Sequence, residues 1–178
     1  MLIRDVAYDT LPKRDRARLH RDIAAWAEET LADRIGEFAE LVADHLLAAV
    51  AYEEELAVAP DPSLRGLRQN AFEAALRAGR RASSLGLRLR SRNWMHQAFE
   101  LAEKLEVGPR ELGLLLDEDA EANGSVGDGP DVGALSRAIE ALEAVTQPSD
   151  DDAQLLARLR RAKGSTLYWH QADVEAAR

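Results

Sequence analysis

Apolar residues recur at spacings of three and four residues along almost the whole chain, and this feature constrains the fold more than any other. In an α-helix such spacing places the apolar side chains on one face, whereas a β-strand would need strict alternation. Ala, Leu, Arg and Glu are abundant and β-branched residues are sparse, which also favours helices. The sequence therefore predicts an all-α protein.

The apolar stripes predict about eight helices in antiparallel pairs. The first two stripes are expected to face each other and consist of Leu19, Ile23, Trp26 and Leu31, then Ile35, Phe38, Leu41, Val42, His45, Leu46 and Ala49. A third stripe, made mainly of small residues, runs from Leu67 to Leu85 and would let a neighbouring helix approach closely. Helix pairs begin near Leu67, Arg110 and Asp150, about 40 residues apart, and this period is typical of a helical solenoid.

Turn-forming residues separate the stripes. Pro60 to Ser63 interrupts the pattern, Gly86 is expected to end the third helix, and the fourth is expected to begin near Asn93. The glycine-rich segment 123–131 predicts a flexible loop. Ser149, followed by three aspartates, predicts the start of the last long helix, and a further short helix is expected from Asp173.

Composition excludes several classes of function. The absence of cysteine removes disulfides, thiolate metal sites and thiol nucleophiles. Apolar runs are far shorter than the roughly 20 residues of a membrane span, so no membrane partner and a cytoplasmic location are predicted. The net charge of −9 argues against broad nucleic-acid binding, which depends on cationic contacts to phosphate.

No motif for a cofactor or a catalytic centre stands out, so a non-enzymatic protein with no metal and no cofactor is predicted. The segment Ala162 to Thr166 ("AKGST") has the letters of a phosphate-binding loop out of order and lies inside a helical pattern. The histidines, His20, His45, His96 and His170, show no metal-binding spacing. A small helical metal-dependent hydrolase that uses His45 and carboxylates is an alternative.

The segment Arg77 to Trp94 ("RAGRRASSLGLRLRSRNW") contains six arginines and no acid. Guanidinium groups pair bidentately with oxyanions, so the segment predicts a surface for an acidic or phosphate-bearing partner. The residues assigned to this partner-binding surface are Arg77, Arg80, Arg81, Arg88 and Trp94. Alternatives are a solvated face balanced by acids on neighbouring helices, packing of Trp94 between helices, and nucleic-acid or phosphate binding through residues 77–92.

The first 29 residues contain the motif "LIRDVAYDTLPKRDRARLHRDIAAWAEE". It resembles the junction in bacterial signal-transduction ATPases with numerous domains, including adenylate-cyclase-like and LuxR-type multidomain regulators. In that family the junction follows the nucleotide-binding module and leads into tetratricopeptide-like helical repeats. The matching residues are Leu2, Ile3, Arg4, Asp5, Val6, Ala7, Tyr8, Leu11, Arg18, Leu19, His20, Ala24 and Trp26.

This resemblance implies a regulatory fragment of a longer ATPase, with Met1 introduced for expression. Residues 1–59 would be junction helices and residues 60–178 tetratricopeptide-like repeats in a right-handed solenoid. Gly164, Leu167 and Ala176 fall where such a repeat places small and large residues, and Leu112-Gly113 resembles the opening of another repeat. The resemblance further implies that the partner is another protein or the ATPase domain of the parent protein itself.

Overall fold

A computed structural model describes residues 8–57, 62–123 and 131–176 of the chain, except for the side chains of Asn123 and residues 170–176. This part is helical throughout, which confirms the all-α prediction. It contains seven α-helices and one 3₁₀ segment (Ala32–Phe38). The α-helices are α1 (Lys13–Thr30), α2 (Ala39–Leu56), α3 (Pro62–Ser84), α4 (Arg88–Leu105), α5 (Pro109–Asn123), α6 (Val132–Glu143) and α7 (Asp150–Ala176).

The chain divides into two compact units between Leu105 and Glu106. Unit 1 contains α1 to α4 and the 3₁₀ segment, and unit 2 contains α5 to α7. The division suggested by the sequence, at residues 59–60, lies between α2 and α3, and these two helices pack against each other inside unit 1. The arrangement of the helices as a solenoid stays a prediction.

The interface between α1 and α2 is built from small residues on the α1 side. Ala17, Ala24 and Ala27 are buried, whereas Leu19 is 40% exposed and Trp26 is 56% exposed. The predicted inward stripe of α1 is therefore wrong for Leu19 and Trp26, while Ile23 and Leu31 are half-buried. The alanine face allows α2 to approach more closely than a face of large side chains would. Large apolar side chains are left on the outside of α1.

The core of unit 1 lies along α3, as the small-residue stripe predicted, except that Leu85 follows the end of the helix and is 54% exposed. Ala71, Ala74, Ala75, Ala78 and Ala82 are completely buried. Gly79 extends this close-packed face, since a Cβ atom there would lie 3.0 Å from Met95 Sδ on α4. Along this face of α3 the neighbouring helices therefore approach closely, because small residues separate them.

A three-way ion pair joins the C-terminal end of α2 to the first half of α3 and to the C-terminal end of α4. Glu54 on α2 accepts hydrogen bonds from Arg68 on α3 at 2.9 Å and from Lys104 on α4 at 2.8 Å. Burial raises the pKa of Glu54, but the hydrogen bonds from the two cations outweigh it and the net shift is downward. The carboxylate therefore stays ionised and joins three helices.

The turn between α3 and α4 is a glycine C-cap of the Schellman type. The Leu87 N–H donates to the Ala82 carbonyl and the Gly86 N–H donates to the Ser83 carbonyl, both at 2.9 Å, while Gly86 has a φ of 71°. This bonding satisfies carbonyls at the end of α3, and the left-handed conformation at Gly86 is the one that favours glycine. Helix α4 then begins at Arg88, five residues before the predicted start, because Leu87 already accepts the first helical bond from the Ser91 N–H.

Substituting Gly86 with alanine is expected to lower the free energy of unfolding by about 1 kcal/mol, because a Cβ atom disfavours the left-handed conformation. Gly66 is a matched control in α3, since a Cβ atom there meets no described atom within 4 Å. Gly66→Ala is expected to raise the free energy of unfolding by up to about 1 kcal/mol. Urea denaturation followed by circular dichroism measures both, and equal effects of the two substitutions would contradict the assigned turn.

Unit 2 packs around leucines that face a close-approach glycine. Leu116, Leu135, Leu155 and Leu159 are at most 1% exposed. A Cβ atom at Gly113 of α5 would lie 3.1 Å from Leu142 of α6 and 3.1 Å from Leu155 of α7. The three helices of the unit therefore meet at Gly113. They approach this closely because glycine has no side chain.

The starts of α6 and α7 follow the sequence signals. Asp131 caps α6, with its carboxylate accepting from the Ala134 N–H at 2.7 Å. At α7, Ser149 Oγ accepts from the Asp152 N–H at 3.2 Å, and the Asp152 carboxylate accepts from the Ser149 N–H at 2.9 Å. These reciprocal bonds form a capping box, so the predicted start is confirmed.

Two predictions for α7 are wrong. The helix runs without interruption to Ala176, so no separate helix begins at Asp173. The match of Gly164 to the small residue of a repeat predicts close packing there, but a Cβ atom at Gly164 meets nothing within 4 Å in the described structure. Gly113 is the glycine that packs in unit 2. The "AKGST" segment lies inside α7, as its helical pattern indicated.

Some predictions fall on residues that the structure does not describe. These are Leu2 to Ala7 of the junction motif, Pro60 and Asp61 of the predicted break, residues 124–130 of the predicted loop, and the last two residues of the chain.

Candidate functional site

The turn between α3 and α4 presents exposed leucines beside arginines. Leu85 is 54% exposed, Leu87 is 42% exposed and Leu89 is 70% exposed. Residues 74–99 contain six arginines and no aspartate or glutamate. We call the exposed part of this region the turn surface, consisting of Arg80, Arg81, Leu85, Leu87, Arg88, Leu89 and Arg90.

Several of the predicted arginines are exposed and balanced by acids of neighbouring elements. Arg77 donates to Glu28 of α1 at 2.6 Å, and Arg90 donates to Glu40 of α2 at 3.3 Å. A hydrogen bond from Arg34 lowers the pKa of Glu37, and the charge of Arg81 contributes to the same shift. The alternative of a face balanced by neighbouring acids is thus realised for Arg77 and Arg90.

The remaining predicted residues differ in their exposure. Arg80 and Arg88 are exposed, and Arg88 is the first residue of α4. Arg88 and Arg92 are four residues apart in the helix and share one face. Trp94 is half-buried, with its Cβ 3.5 Å from the position that a Cβ atom of Gly79 would occupy. It packs against α3, in agreement with the packing alternative.

The charge pattern at the start of α4 runs against the helix dipole. The first turn contains Arg88 and Arg90 and no acid. Cations near the positive end of a helix are unfavourable by some tenths of a kcal/mol each. An anionic group near this end would offset both the arginine charges and the helix dipole. The turn surface also contains exposed leucines. A small inorganic anion bound to the arginines would leave these leucines in contact with water.

A second cluster, which the sequence did not reveal, joins α1, α2 and the turn that precedes α1. The Nδ1 atoms of His20 and His45 are 2.7 Å apart, and the Tyr8 hydroxyl lies 2.7 Å from Nε2 of His20. Tyr8 also donates to the Tyr52 hydroxyl at 3.1 Å. We call these four hydrogen-bonded side chains the histidine–tyrosine chain. All four are half-buried.

The histidine–tyrosine chain lies beside the cation of Arg16, whose guanidinium carbon is 4.9 Å from the centre of the Tyr8 ring and 5.8 Å from that of Tyr52. Burial and the hydrogen bond with Tyr52 raise the pKa of Tyr8 to about 12. Hydrogen bonds from Tyr8 and then from Arg16 lower the pKa of Tyr52. Burial lowers the pKa of His20, and the charge of His45 lowers it further. The lowered pKa of His20 and the raised pKa of Tyr8 both favour the neutral forms of these two side chains near pH 7.

The sequence gave only a partial signal for this cluster. His20 and His45 are 25 residues apart and show no metal-binding spacing, so their sequence positions gave no sign that they meet. The antiparallel packing of α1 and α2 brings the two rings together. The partial signal in the sequence is that His45 lies on an otherwise apolar stripe. A polar ring in that position needs a hydrogen-bonding partner.

The described residues contain neither a cluster of metal ligands nor a helix that could span a membrane. No three His, Asp or Glu side chains there gather closely enough to hold a metal ion, and His45 has His20 as its neighbour. None of the described helices has the length and apolar character needed to span a bilayer.

Comparison with known proteins gave no match: no family model, no curated protein and no solved structure is detectably similar to this chain.

Proposed function

We propose that this chain is a non-enzymatic interaction and regulatory module that binds an acidic, partly apolar segment of a protein through its turn surface. The observation that carries the proposal is the exposure of Leu85, Leu87 and Leu89 among arginines. Exposed leucines are costly unless a partner covers them, and arginine is enriched at protein interfaces. The Schellman turn holds these side chains on a rigid support, so little ordering is needed on binding.

A protein segment fits the turn surface better than an anionic bilayer does. Glu28, Glu37 and Glu40 lie on the elements that flank the arginines. A flat anionic surface would press against these carboxylates as well as the arginines, and like charges repel. A narrow acidic segment can contact the turn alone. Leucine side chains of the turn would then pack against apolar residues of that segment.

The junction motif supports a narrower version of the proposal. Its resemblance to bacterial multidomain signalling ATPases makes this chain a tetratricopeptide-like part of such a regulator, and the partner another protein or the ATPase domain of the parent. An upstream open reading frame that encodes a nucleotide-binding loop, continuous with this chain, would support the narrower version. A stop codon and a ribosome-binding site directly before Met1 would contradict it without affecting the turn surface.

The test uses a fluorescein-labelled helical peptide of about 20 residues with glutamates on one face and leucines on the other. Wild-type protein is expected to bind it. The triple variant Leu85→Ser, Leu87→Ser and Leu89→Ser and the triple variant Arg80→Glu, Arg81→Glu and Arg88→Glu are each expected to bind at least about tenfold more weakly. Fluorescence anisotropy measures the dissociation constants, and circular dichroism checks that helicity is unchanged.

Matched controls replace exposed residues elsewhere on the chain. Leu19, Leu56 and Leu114, which are 39–47% exposed, serve for the leucines. Arg14, Arg18 and Arg161, also exposed, serve for the arginines. Equal weakening in the controls would contradict a specific surface. Failure of the peptide to bind, together with retention of wild-type protein on vesicles of anionic lipid or on nucleic acid at low salt, would assign the turn surface to that other partner.

A further inference from the structure

We infer that the histidine–tyrosine chain is a proton-sensitive latch, which holds the turn from Tyr8 to Leu11 on helices α1 and α2 when His20 is neutral and loosens this attachment when His20 is protonated. This inference is independent of the turn surface. It rests on the direction in which the four side chains donate hydrogen bonds and on the charges around them.

The hydrogen bonds have a single consistent direction. Tyr8 donates its proton to Tyr52, so the Tyr8 oxygen accepts from Nε2–H of His20. Neutral His20 then has a bare Nδ1, which accepts from Nδ1–H of His45 at 2.7 Å. A proton added to His20 must go to that same Nδ1. It would place two N–H groups face to face, so one of the two rings must turn away.

The attachment of the preceding turn depends on the position of the His20 ring. The Tyr8 hydroxyl is hydrogen-bonded to His20 on α1 and to Tyr52 on α2. The turn itself is closed by the Leu11 N–H donating to the Tyr8 carbonyl at 3.1 Å. Movement of the His20 ring therefore removes one side-chain anchor of this turn. The bond from Tyr8 to Tyr52 remains, and Arg16 of α1 still donates to the Leu11 and Asp9 carbonyls at 3.0 and 2.7 Å.

The positive charge of Arg16 disfavours protonation of His20. Several carboxylates of the surrounding elements are already paired with other cations and so offset this effect little. The Arg16 guanidinium already lies over the Tyr8 ring, 4.9 Å from its centre. Nearby carboxylates have their own cations. The pairs are Asp9 with Arg16, Glu53 with Arg21, Glu55 with Lys13, Glu54 with Arg68 across α3, and Glu37 with Arg34 in the 3₁₀ segment. Asp44 precedes His45 on α2 and interacts electrostatically with it.

The direction of the pH effect follows from the lowered pKa of His20. The open state, in which His20 is solvated, binds the proton more tightly than the closed state does. The contribution of His20 to closure is complete above about pH 6.5, the ordinary pKa of histidine, and is lost as the pH falls through its folded-state pKa. Acidification therefore favours opening.

Hydrogen exchange of the Leu11 amide, expressed as a protection factor, tests the latch on the full chain. Between pH 7.5 and pH 5.0 the wild-type protection factor is expected to fall roughly three- to tenfold. In His20→Gln, which cannot take up a proton, this pH dependence is expected to disappear. His96→Gln is the matched control, because His96 is exposed and interacts with Glu100 at 3.6 Å; it should respond like wild type.

A wild-type protection factor that does not change with pH, or a His20→Gln variant that responds like wild type, overturns the latch. If His20→Gln does not fold, the ring-proton NMR shifts of wild-type histidines give a second measurement. His20 is then expected to titrate below about pH 6.5, and its titration should coincide with changes in the Leu11 amide. A His20 titration at or above that value, or one that leaves the Leu11 amide unchanged, contradicts the inference.

Discussion

Replacing Leu159 with alanine is expected to lower the free energy of unfolding of unit 2 by about 2–5 kcal/mol. Leu159 is completely buried in α7, and one of its methyl carbons lies 3.3 Å from the position that a Cβ atom of Gly113 would occupy. Removal of the side chain leaves a cavity where three helices meet. Because Gly113 has no side chain, neighbouring atoms cannot fill that cavity without moving whole helices.

Urea denaturation followed by circular dichroism measures this loss. Leu114→Ala is the matched control in the same unit, because Leu114 lies on α5 and is 47% exposed. Its effect is expected to stay within about 0.5 kcal/mol. Similar destabilisation by the two substitutions would show that Leu159 is not at the centre of the packing of unit 2.

Enlarging Ala78 to leucine is expected to destabilise unit 1 by about 3 kcal/mol, the upper part of the usual range for overpacking. Ala78 is completely buried on α3 and precedes Gly79, where even a single Cβ atom would lie 3.0 Å from Met95 Sδ. Three additional carbons have no room unless α3 moves away from its neighbours. Alanine and leucine have similar helix propensities, so the effect reports packing.

The measurement is the urea midpoint of the full chain, compared with that of Ala25→Leu. Ala25 is an exposed alanine of α1, so its substitution adds the same atoms without crowding. The control is expected to change the free energy of unfolding by less than about 0.5 kcal/mol. Equal midpoints for the two variants would mean that α3 packs more loosely than the buried alanines indicate.

The sequence predicts the buried face of a helix well where small residues are concentrated on that face. It predicts the buried face poorly where large and small apolar residues share a helix. The stripe from Leu67 to Leu85 predicted the face that α3 buries as far as Ala82, because nearly every apolar residue up to there lies on it, whereas Leu85 is exposed. On α1 both an alanine face and a face with Leu19 and Trp26 are apolar. The choice between them depends on how closely α2 can approach, which periodicity does not encode.

The candidate surfaces show the same division. The arginine-rich segment is visible in the sequence because its charges are contiguous. Its role as a surface depends on Leu85, Leu87 and Leu89 being exposed, and that follows from the turn geometry at Gly86. The histidine–tyrosine chain joins residues up to 44 positions apart, so no local pattern could reveal it.

The sequence by itself determined the helical class, the Gly86 turn and the capping residue Ser149, since each depends on local backbone chemistry. Only the tertiary structure decided which face of α1 is buried, that Gly113 and not Gly164 is the close-packing glycine of unit 2, and that His20 meets His45. These features depend on how closely whole helices approach one another, and that distance is set jointly by residues far apart in the chain.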